Sequence, residues 1–458
     1  MSIDKMARTY GTDGHAAPII GWYGDDFTGA TDTLAELAHA DLRALLFMGV
    51  PSTDHLTLAG PLDAVGIAGA ARALNPEAMR AELEPVGRFF TDLRVPVLHY
   101  KVCSTFDSAP HVGNINVAVK TLRPYVDNAF VPIVCGQPNL GRYCVFSNLY
   151  AAAGTGGEVH RLDRHPTMSR HPVTPLHEAD LRLHLAQQGL TAVGAIHYPA
   201  YGESQEAQDG RLNILLEQLG QINRETQTVL FDVADASHLA HVGRLIWQRA
   251  LAQRLLSVGP SSVVQALVAH LKTSRNAAGF SPPSLALAKG PVFVLAGSLS
   301  PVTARQIEAA TAYKRLPANA QRLLTDTGYR GQLLEEVITL LCAGHNTLVY
   351  TAPTNNIPVD TTKTQDVARV SADFVAQVVG RMAKIAPLRR IGIAGGDTSS
   401  QVTKALRLWG LSYQTNVATG VTLCRTHSDE PALNDVELML KGGQIGSDDL
   451  FWRFANGF

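Results

Sequence analysis

Two adjacent carboxylates, Asp25 and Asp26, follow an apolar run at residues 18–22 and precede an amphipathic segment at about 31–40. That order predicts strand, tight turn and helix, with Thr28-Gly29 opening the helix. Neighbouring carboxylates repel when both are ionised, so a cation, hydroxyl groups or the helix N-terminus must offset them. Ligands of an open α/β sheet collect at the carboxyl ends of its strands. The pair are therefore candidate catalytic groups, able to accept a proton from a hydroxyl. A plainer alternative is that one caps the helix and the other faces water.

Arg72 follows a strand pattern at 64–68. A guanidinium at a strand end can clamp a carboxylate through two parallel hydrogen bonds, although alone it reads equally as a solvated arginine. Lys101 sits near the end of another apolar run, 97–102, followed by Cys103-Ser104-Thr105-Phe106-Asp107. Lys101, Ser104 and Thr105 bring cation, donor and acceptor groups together, as binding of a polyhydroxy acid requires. Cys103 joins them as a lining residue, and a buried thiol there needs no reactivity. Asp107 is expected to orient Lys101 or cap a helix.

In the second half, Gly297-Ser298-Leu299-Ser300 follows a strand at 292–296, with a helix starting near Thr303. Gly395-Gly396-Asp397-Thr398 follows a strand at 391–394, with a helix running to about Trp409. Such turns let backbone N–H groups approach an anion. Lys441-Gly442-Gly443-Gln444-Ile445-Gly446 is a further strand and glycine-rich bend, suited to covering a phosphate or a base. Neither Gly-x-x-x-x-Gly-Lys-Ser/Thr nor Gly-x-Gly-x-x-Gly occurs in this half, which argues against a P-loop and against a dinucleotide Rossmann site.

The positioning elements are short apolar runs alternating with helical patterns, at 44–48, 64–68, 97–102, 130–134, 192–197 and 229–233. A second series begins near 255 and includes 292–296, 348–351, 391–394, 413–418, 421–425 and 437–441. This predicts two α/β domains, each with a mostly parallel sheet flanked by helices, and an active site in the cleft between them. With 458 residues, two domains are the natural expectation: a tail at 1–17, then 18–255 and 256–458, the boundary uncertain by about 15 residues. Residues 272–289 read as a loop or linker. Lys plus Arg number 39 and Asp plus Glu 40, and no basic patch suggests nucleic acid. Five cysteines without CxxC spacing, no signal sequence and no apolar run long enough to span a bilayer point to a cytoplasmic chain with no membrane partner.

The Gly-Asp-Asp-Phe-Thr-Gly-Ala-Thr-Asp segment at 24–32 and Lys-Val-Cys-Ser-Thr-Phe-Asp-Ser at 101–108 resemble the four-carbon acid sugar kinase family, whose members phosphorylate threonate, erythronate and 3-oxo-tetronate. Pro138-Asn139-Leu140-Gly141-Arg142 is similar to the family's Pro-x-x-Gly-Arg turn, and 165–175 to its His-Pro-x-Thr-Pro segment. Arg142 and His171 thereby become further, second-rank candidates for the substrate pocket or the domain cleft. His165 and His171 lack a spaced third ligand, so a proline-held loop is favoured over a metal site. Gly297-Ser298, 395–398 and 441–446 resemble the family's nucleotide segments. Asp397 stands where Glu is usual, Gly442 where Ser is usual, and Asn116 where Gly is frequent.

The resemblance implies an acid sugar on the N-terminal domain and ATP with Mg²⁺ on the C-terminal one. Arg72, Lys101, Ser104 and Thr105 would hold the acid, and Asp25 or Asp26 would meet the attacking C4 hydroxyl. Ser298, Gly395–Thr398 and Gly442-Gly443 would hold the nucleotide. A homodimer is compatible with this reading. Two others stay open: a non-catalytic acid-sugar or nucleotide sensor, and a sugar-acid dehydrogenase.

Overall fold

A computed structural model describes residues 17–154, 156–171, 173–273, 283–351 and 364–457. Most of the stretch read as a tail, part of the 272–289 linker, and Pro172 lie outside the described residues. The chain divides into two compact units, residues 1–280 and 281–458.

Strands of the first unit, numbered in chain order, are β1 (Ile20–Gly24), β2 (Ala44–Phe47), β3 (Ala64–Ala68), β4 (Val97–Lys101), β5 (Phe130–Cys135), β6 (Arg142–Val145), β7 (Asn148–Ala152), β8 (Val159–Arg161), β9 (Val193–Ile196), β10 (Gln227–Asp232) and β11 (Leu255–Gly259). The main sheet runs β2-β3-β1-β4-β11-β5-β10-β9, with every pairing parallel. Strands β1, β3, β4, β5 and β11 are buried along their whole length, which fits their largely apolar character in a sheet covered on both faces, with His99 and Lys101 of β4 and Ser257 of β11 as buried polar exceptions.

The boundary expected near residue 255 is thereby corrected. Strand β11 inserts between β4 and β5, and the helix Ser262–Thr273 packs against the helix His238–Ala252, so both elements belong to the first unit. Local pattern cannot reveal a pairing partner more than a hundred residues away.

A small antiparallel sheet, β6-β7-β8, was not expected from the sequence. Its first hairpin turns on Phe146 and Ser147, both with positive φ (49° and 66°). The buried Asp232 carboxylate holds that turn by accepting from Phe146 N (2.8 Å) and Ser147 N (2.9 Å). It supplies the support that an Asn-Gly turn would not need.

The second unit contains β12 (Val292–Ala296), β13 (Lys314–Pro317), β14 (Thr347–Tyr350), β15 (Arg390–Ala394), β16 (Gly410–Ala418), β17 (Val421–His427) and β18 (Glu437–Lys441). The order is β13-β14-β12-β15-β18-β17-β16, parallel up to β18 and antiparallel through the β16–β17 hairpin. Val292, Val294, Leu348, Met439, Phe451 and Phe454 lie in its core. Strand β13 is largely exposed and carries Lys314, Arg315 and Pro317, so no apolar run announced it. The helix after β15 spans Gly396–Ala405 and stops short of the expected Trp409: Leu406 caps it and Arg407 turns to positive φ (52°). The helix after β12 starts earlier than expected, at Pro301, because Ser300 caps it through Val302 N (3.2 Å) and the prolyl ring fits the first helical position.

Candidate active site

In the first unit the ends of three neighbouring strands are laced together. Asp25 N donates to Lys101 O (3.0 Å), Gly69 N to Gly24 O (2.9 Å), and Arg72 N to Asp25 O (3.0 Å). This brings Asp25, Asp26, Arg72 and Lys101 to one place at the carboxyl end of the sheet. Asp26 caps the helix Phe27–Ala38, accepting from Gly29 N (3.0 Å) and from the Thr28 hydroxyl (2.6 Å). Asp25 does not face water; it is 3 % exposed.

Arg72 is committed to these carboxylates. Its Nε and Nη2 donate to Asp25 (3.2 and 2.6 Å), and Nη2 also to Asp26 Oδ1 (2.8 Å). Lys101 Nζ, nearly buried, stands 3.9 Å from the same Asp26 oxygen. Gly29 leaves space for this cation: a Cβ there would lie 1.8 Å from Lys101 Nζ and 2.5 Å from Asp26 Oδ1.

The two carboxyls are driven apart in proton affinity. Burial raises Asp25, and Asp26 adds to that, against the opposing pull of Arg72. Burial also pushes Asp26 up, but Arg72, Lys101, the Thr28 hydroxyl and Gly29 N–H outweigh it and hold Asp26 below the usual carboxylate value. Adjacent acids with divergent proton affinities are the arrangement from which acid–base roles are built.

The loop after β4 runs beside this group. Burial and then Asp107 push the Cys103 thiol up to about 11, so it is protonated at neutral pH and acts as a lining group. Thr105 donates to Asp107 (2.6 Å) and contacts Cys103 Sγ (3.0 Å). Asp107 is thus tied to Thr105 and does not play the expected part of orienting Lys101 or capping a helix; Asn114 caps the helix Ile115–Leu122. Ser104 is partly exposed.

Arg142, at the start of β6, bonds the Leu140 carbonyl through Nη1, while its buried Nε has no partner among the described residues. Burial lowers its proton affinity, and the Asp107 carboxylate acts the other way. Arg142 therefore faces the Cys103–Asp107 loop with donor capacity to spare.

His171 is different. Its Nδ1 accepts from Thr174 N (3.1 Å) and meets the Thr174 hydroxyl (2.9 Å) within its own loop. Among the described residues no contact joins it to the acidic pair, so its expected place in the pocket gains no support. His165 likewise organises a turn, accepting from Thr167 N and Met168 N (3.1 and 3.2 Å).

The second unit repeats the lacing. Gly297 N donates to Ala394 O and Gly395 N to Lys441 O, both at 2.8 Å. Three glycine-rich turns, after β12, β15 and β18, thus gather at the carboxyl end of the sheet. Gly395 has φ +127°, and a Cβ there would stand 3.2 Å from Ser298 N and 3.3 Å from Thr398 Oγ1. Gly443 faces the Ser298 hydroxyl, 2.6 Å from where its own Cβ would be.

Among the described residues no side chain caps the helix Gly396–Ala405, and a helix N-terminus is a place where an anion can dock. Thr398 is buried behind the turn, and Asp397 lies in the helix's first turn. Lys441 is fully buried. Its Nζ donates to Thr303 Oγ1 (3.0 Å), Gly442 O (2.7 Å) and Gly443 O (3.2 Å). The lysine lies beneath the bend.

Known proteins agree with this division. Residues 20–267 match the family model of a sugar-binding N-terminal domain, and residues 293–451 that of a nucleotide-binding C-terminal domain. A 3-oxo-isoapionate kinase of Paraburkholderia graminis is 36 % identical, over 98 % of this chain and 97 % of its own. A 3-oxo-tetronate kinase of Methylobacterium radiotolerans is 29 % identical over 95 % and 98 %. One from Pseudomonas fluorescens is 27 % identical over 95 % and 96 %.

Among solved structures, a Salmonella typhimurium LT2 protein described as a tRNA synthase superposes with TM-score 0.76 at 21 % identity, covering 95 % of this chain and 98 % of its own. A Haemophilus influenzae protein does so with TM-score 0.68 at 22 % identity, covering 94 % and 98 %. These two likenesses show the fold. The family models and the full-length relatives, falling on the acidic strand ends of one unit and the glycine turns of the other, show the family: the chain belongs to the four-carbon acid sugar kinases.

Proposed function

We propose that this protein is an ATP-dependent kinase that phosphorylates the terminal hydroxyl of a short 3-oxo sugar acid. The observation that carries the reading is the Asp25–Asp26 pair, with divergent proton affinities, ringed by Arg72 and Lys101 at the strand ends of the sugar-binding unit. Relatives named for 3-oxo-isoapionate and 3-oxo-tetronate share the 3-oxo acid, which favours that class over the plain aldonates.

Phosphoryl transfer depends on positioning and charge stabilisation more than on covalent chemistry. Asp26, the more accessible of the pair, accepts the hydrogen bond of the attacking hydroxyl, and the pair takes its proton. Arg72 is already spent on the two carboxylates, so its role is to keep them ionised and fixed. The acid's own carboxylate falls to Arg142, with Lys101 and Ser104 bonding the oxo and hydroxyl oxygens.

In the other unit, the N–H groups of the helix Gly396–Ala405, with Ser298, Gly442 and Gly443, hold the phosphates of ATP. Among the described residues no cluster of three His, Cys, Asp or Glu could hold a metal by itself. Asp397, in the first turn of that helix, would bond a water of Mg²⁺ arriving with the phosphates. When bound, Mg²⁺ neutralises charge on the β- and γ-phosphates.

No described helix is long and apolar enough to cross a membrane. The five cysteines are free, which favours a reducing compartment such as the cytoplasm.

A coupled ADP-release assay over 3-oxo-isoapionate, 3-oxo-tetronates, threonate and erythronate tests the reading. ADP should form only with an acid present, fastest with a 3-oxo acid, and the product should carry phosphate on its terminal carbon by ³¹P NMR. ADP release indifferent to every acid would overturn it.

A further inference from the structure

We propose that Lys441 is the positioning residue of the phosphate-binding bend and that it takes up a proton from solvent when nucleotide binds. The inference rests on the proposed function of the second unit and deepens it.

Lys441 closes β18 and has no exposed surface. Its three neighbours are neutral oxygens: Thr303 Oγ1, Gly442 O and Gly443 O, at 3.0, 2.7 and 3.2 Å. An ammonium has three donors and satisfies all three; a neutral amine has two and turns its lone pair on the third. A trans peptide points its N–H opposite to its C=O. With the Gly442 and Gly443 carbonyls drawn to Nζ, the N–H groups of Gly443 and Gln444 point away from it. The Thr303 hydroxyl reinforces the geometry by donating to Gly443 O (3.0 Å). Protonated Lys441 is thus the peg on which the bend hangs.

Among the described residues no carboxylate pairs with this peg. Charged groups on the elements around it are Glu437, paired with Arg390 at the opposite ends of β18 and β15, and Arg425 and His427 on β17. The helices add Asp397 and Lys404, Arg305 paired with Asp448, Glu308, and Arg453 paired with Asp449. None of these sets the lysine's proton affinity; burial does, lowering it to about 7. In the nucleotide-free protein the amine is therefore mostly neutral at pH 8. A polyphosphate arriving at the bend favours the ammonium, so amine plus one proton from the buffer becomes ammonium on binding. Affinity should then fall as pH rises above about 7, by at most about tenfold per pH unit.

The test is isothermal titration calorimetry of a non-hydrolysable ATP analogue with Mg²⁺ at pH 8. At that pH the phosphates are already ionised, and buffers of different ionisation enthalpy count the protons. The full-length protein should take up about half a proton or more per nucleotide. Lys441→Met should bind about tenfold more weakly at pH 7 and take up none. Lys441→Arg, charged at every accessible pH, should also take up none and show a flat pH profile. If either variant fails to fold, the proton count of the unaltered protein decides alone. Nucleotide binding with less than about 0.1 proton taken up would overturn this inference and leave the kinase reading intact. Failure to bind any nucleotide would overturn both.

Discussion

Gly29→Ala tests whether the position of the Lys101 ammonium, and not merely its charge, matters to the reaction. The added methyl would lie 1.8 Å from Lys101 Nζ and 2.5 Å from Asp26 Oδ1. Non-bonded atoms of this kind settle at more than about 3 Å, so the ammonium must retreat by roughly 1.5 Å. It begins 3.9 Å from Asp26 Oδ1, and retreat separates it from the carboxylate it helps keep ionised. Displacements of about an ångström at a reacting group cost on the order of 100-fold in rate.

The fold should survive. Alanine is favoured over glycine within a helix by about 0.5–1 kcal/mol, while crowding a packed site costs about 1–3 kcal/mol. The net loss is then no more than about 2.5 kcal/mol. The measurements are kcat/KM for the acid, the Kd of an ATP analogue, and urea unfolding. We expect kcat/KM to fall about 100-fold with nucleotide affinity unchanged. A Gly29→Ala enzyme turning over within about twofold of the parent would show that Lys101's place is not critical, and the reasoning fails.

Asp26→Asn should fold and lose about 10²–10⁴ in turnover. The pH dependences of stability, read from thermal melts, should have opposite signs at the two acids. Asp25, with its raised proton affinity, contributes stability that is present at low pH and lost as pH rises through its folded-state value; Asp26, lowered, contributes stability present above its unfolded value and lost as pH falls through its folded one. Parallel profiles for Asp25→Asn and Asp26→Asn would contradict the assignment. Arg142→Met should raise KM for the acid at least about tenfold and leave nucleotide binding alone; equal losses for both ligands would remove Arg142 from the acid site. Gly395→Ala forces a side chain into φ +127° against Ser298 N and should weaken nucleotide binding about tenfold without touching acid binding.

Much of this architecture could be read from the chain, because buried parallel strands are short apolar runs and each of the recognised turns sits where one ends. What escaped reading was long-range. Arg72 looked like a clamp for a ligand carboxylate, and only folding reveals that residues 47 and 46 positions earlier occupy it. The burial of Lys441 under two carbonyls is likewise a tertiary fact, with no local mark in the chain. Strand β11 followed a helix just as the first strand of a new domain would, and its insertion between β4 and β5 left no local mark. For His171 the structure shows a ring accepting from Thr174 N within its own loop, a contact that spacing along the chain does not reveal.

Strand β13 has a consequence for how copies of this chain meet. A bare row of peptide groups at a sheet margin is a template on which another extended segment can polymerise. Here that row carries two exposed cations, Lys314 and Arg315, and ends in Pro317, which has no N–H to offer. Electrostatic repulsion and a missing donor guard the margin against fibre growth at crowded concentrations, at no expense to either ligand site.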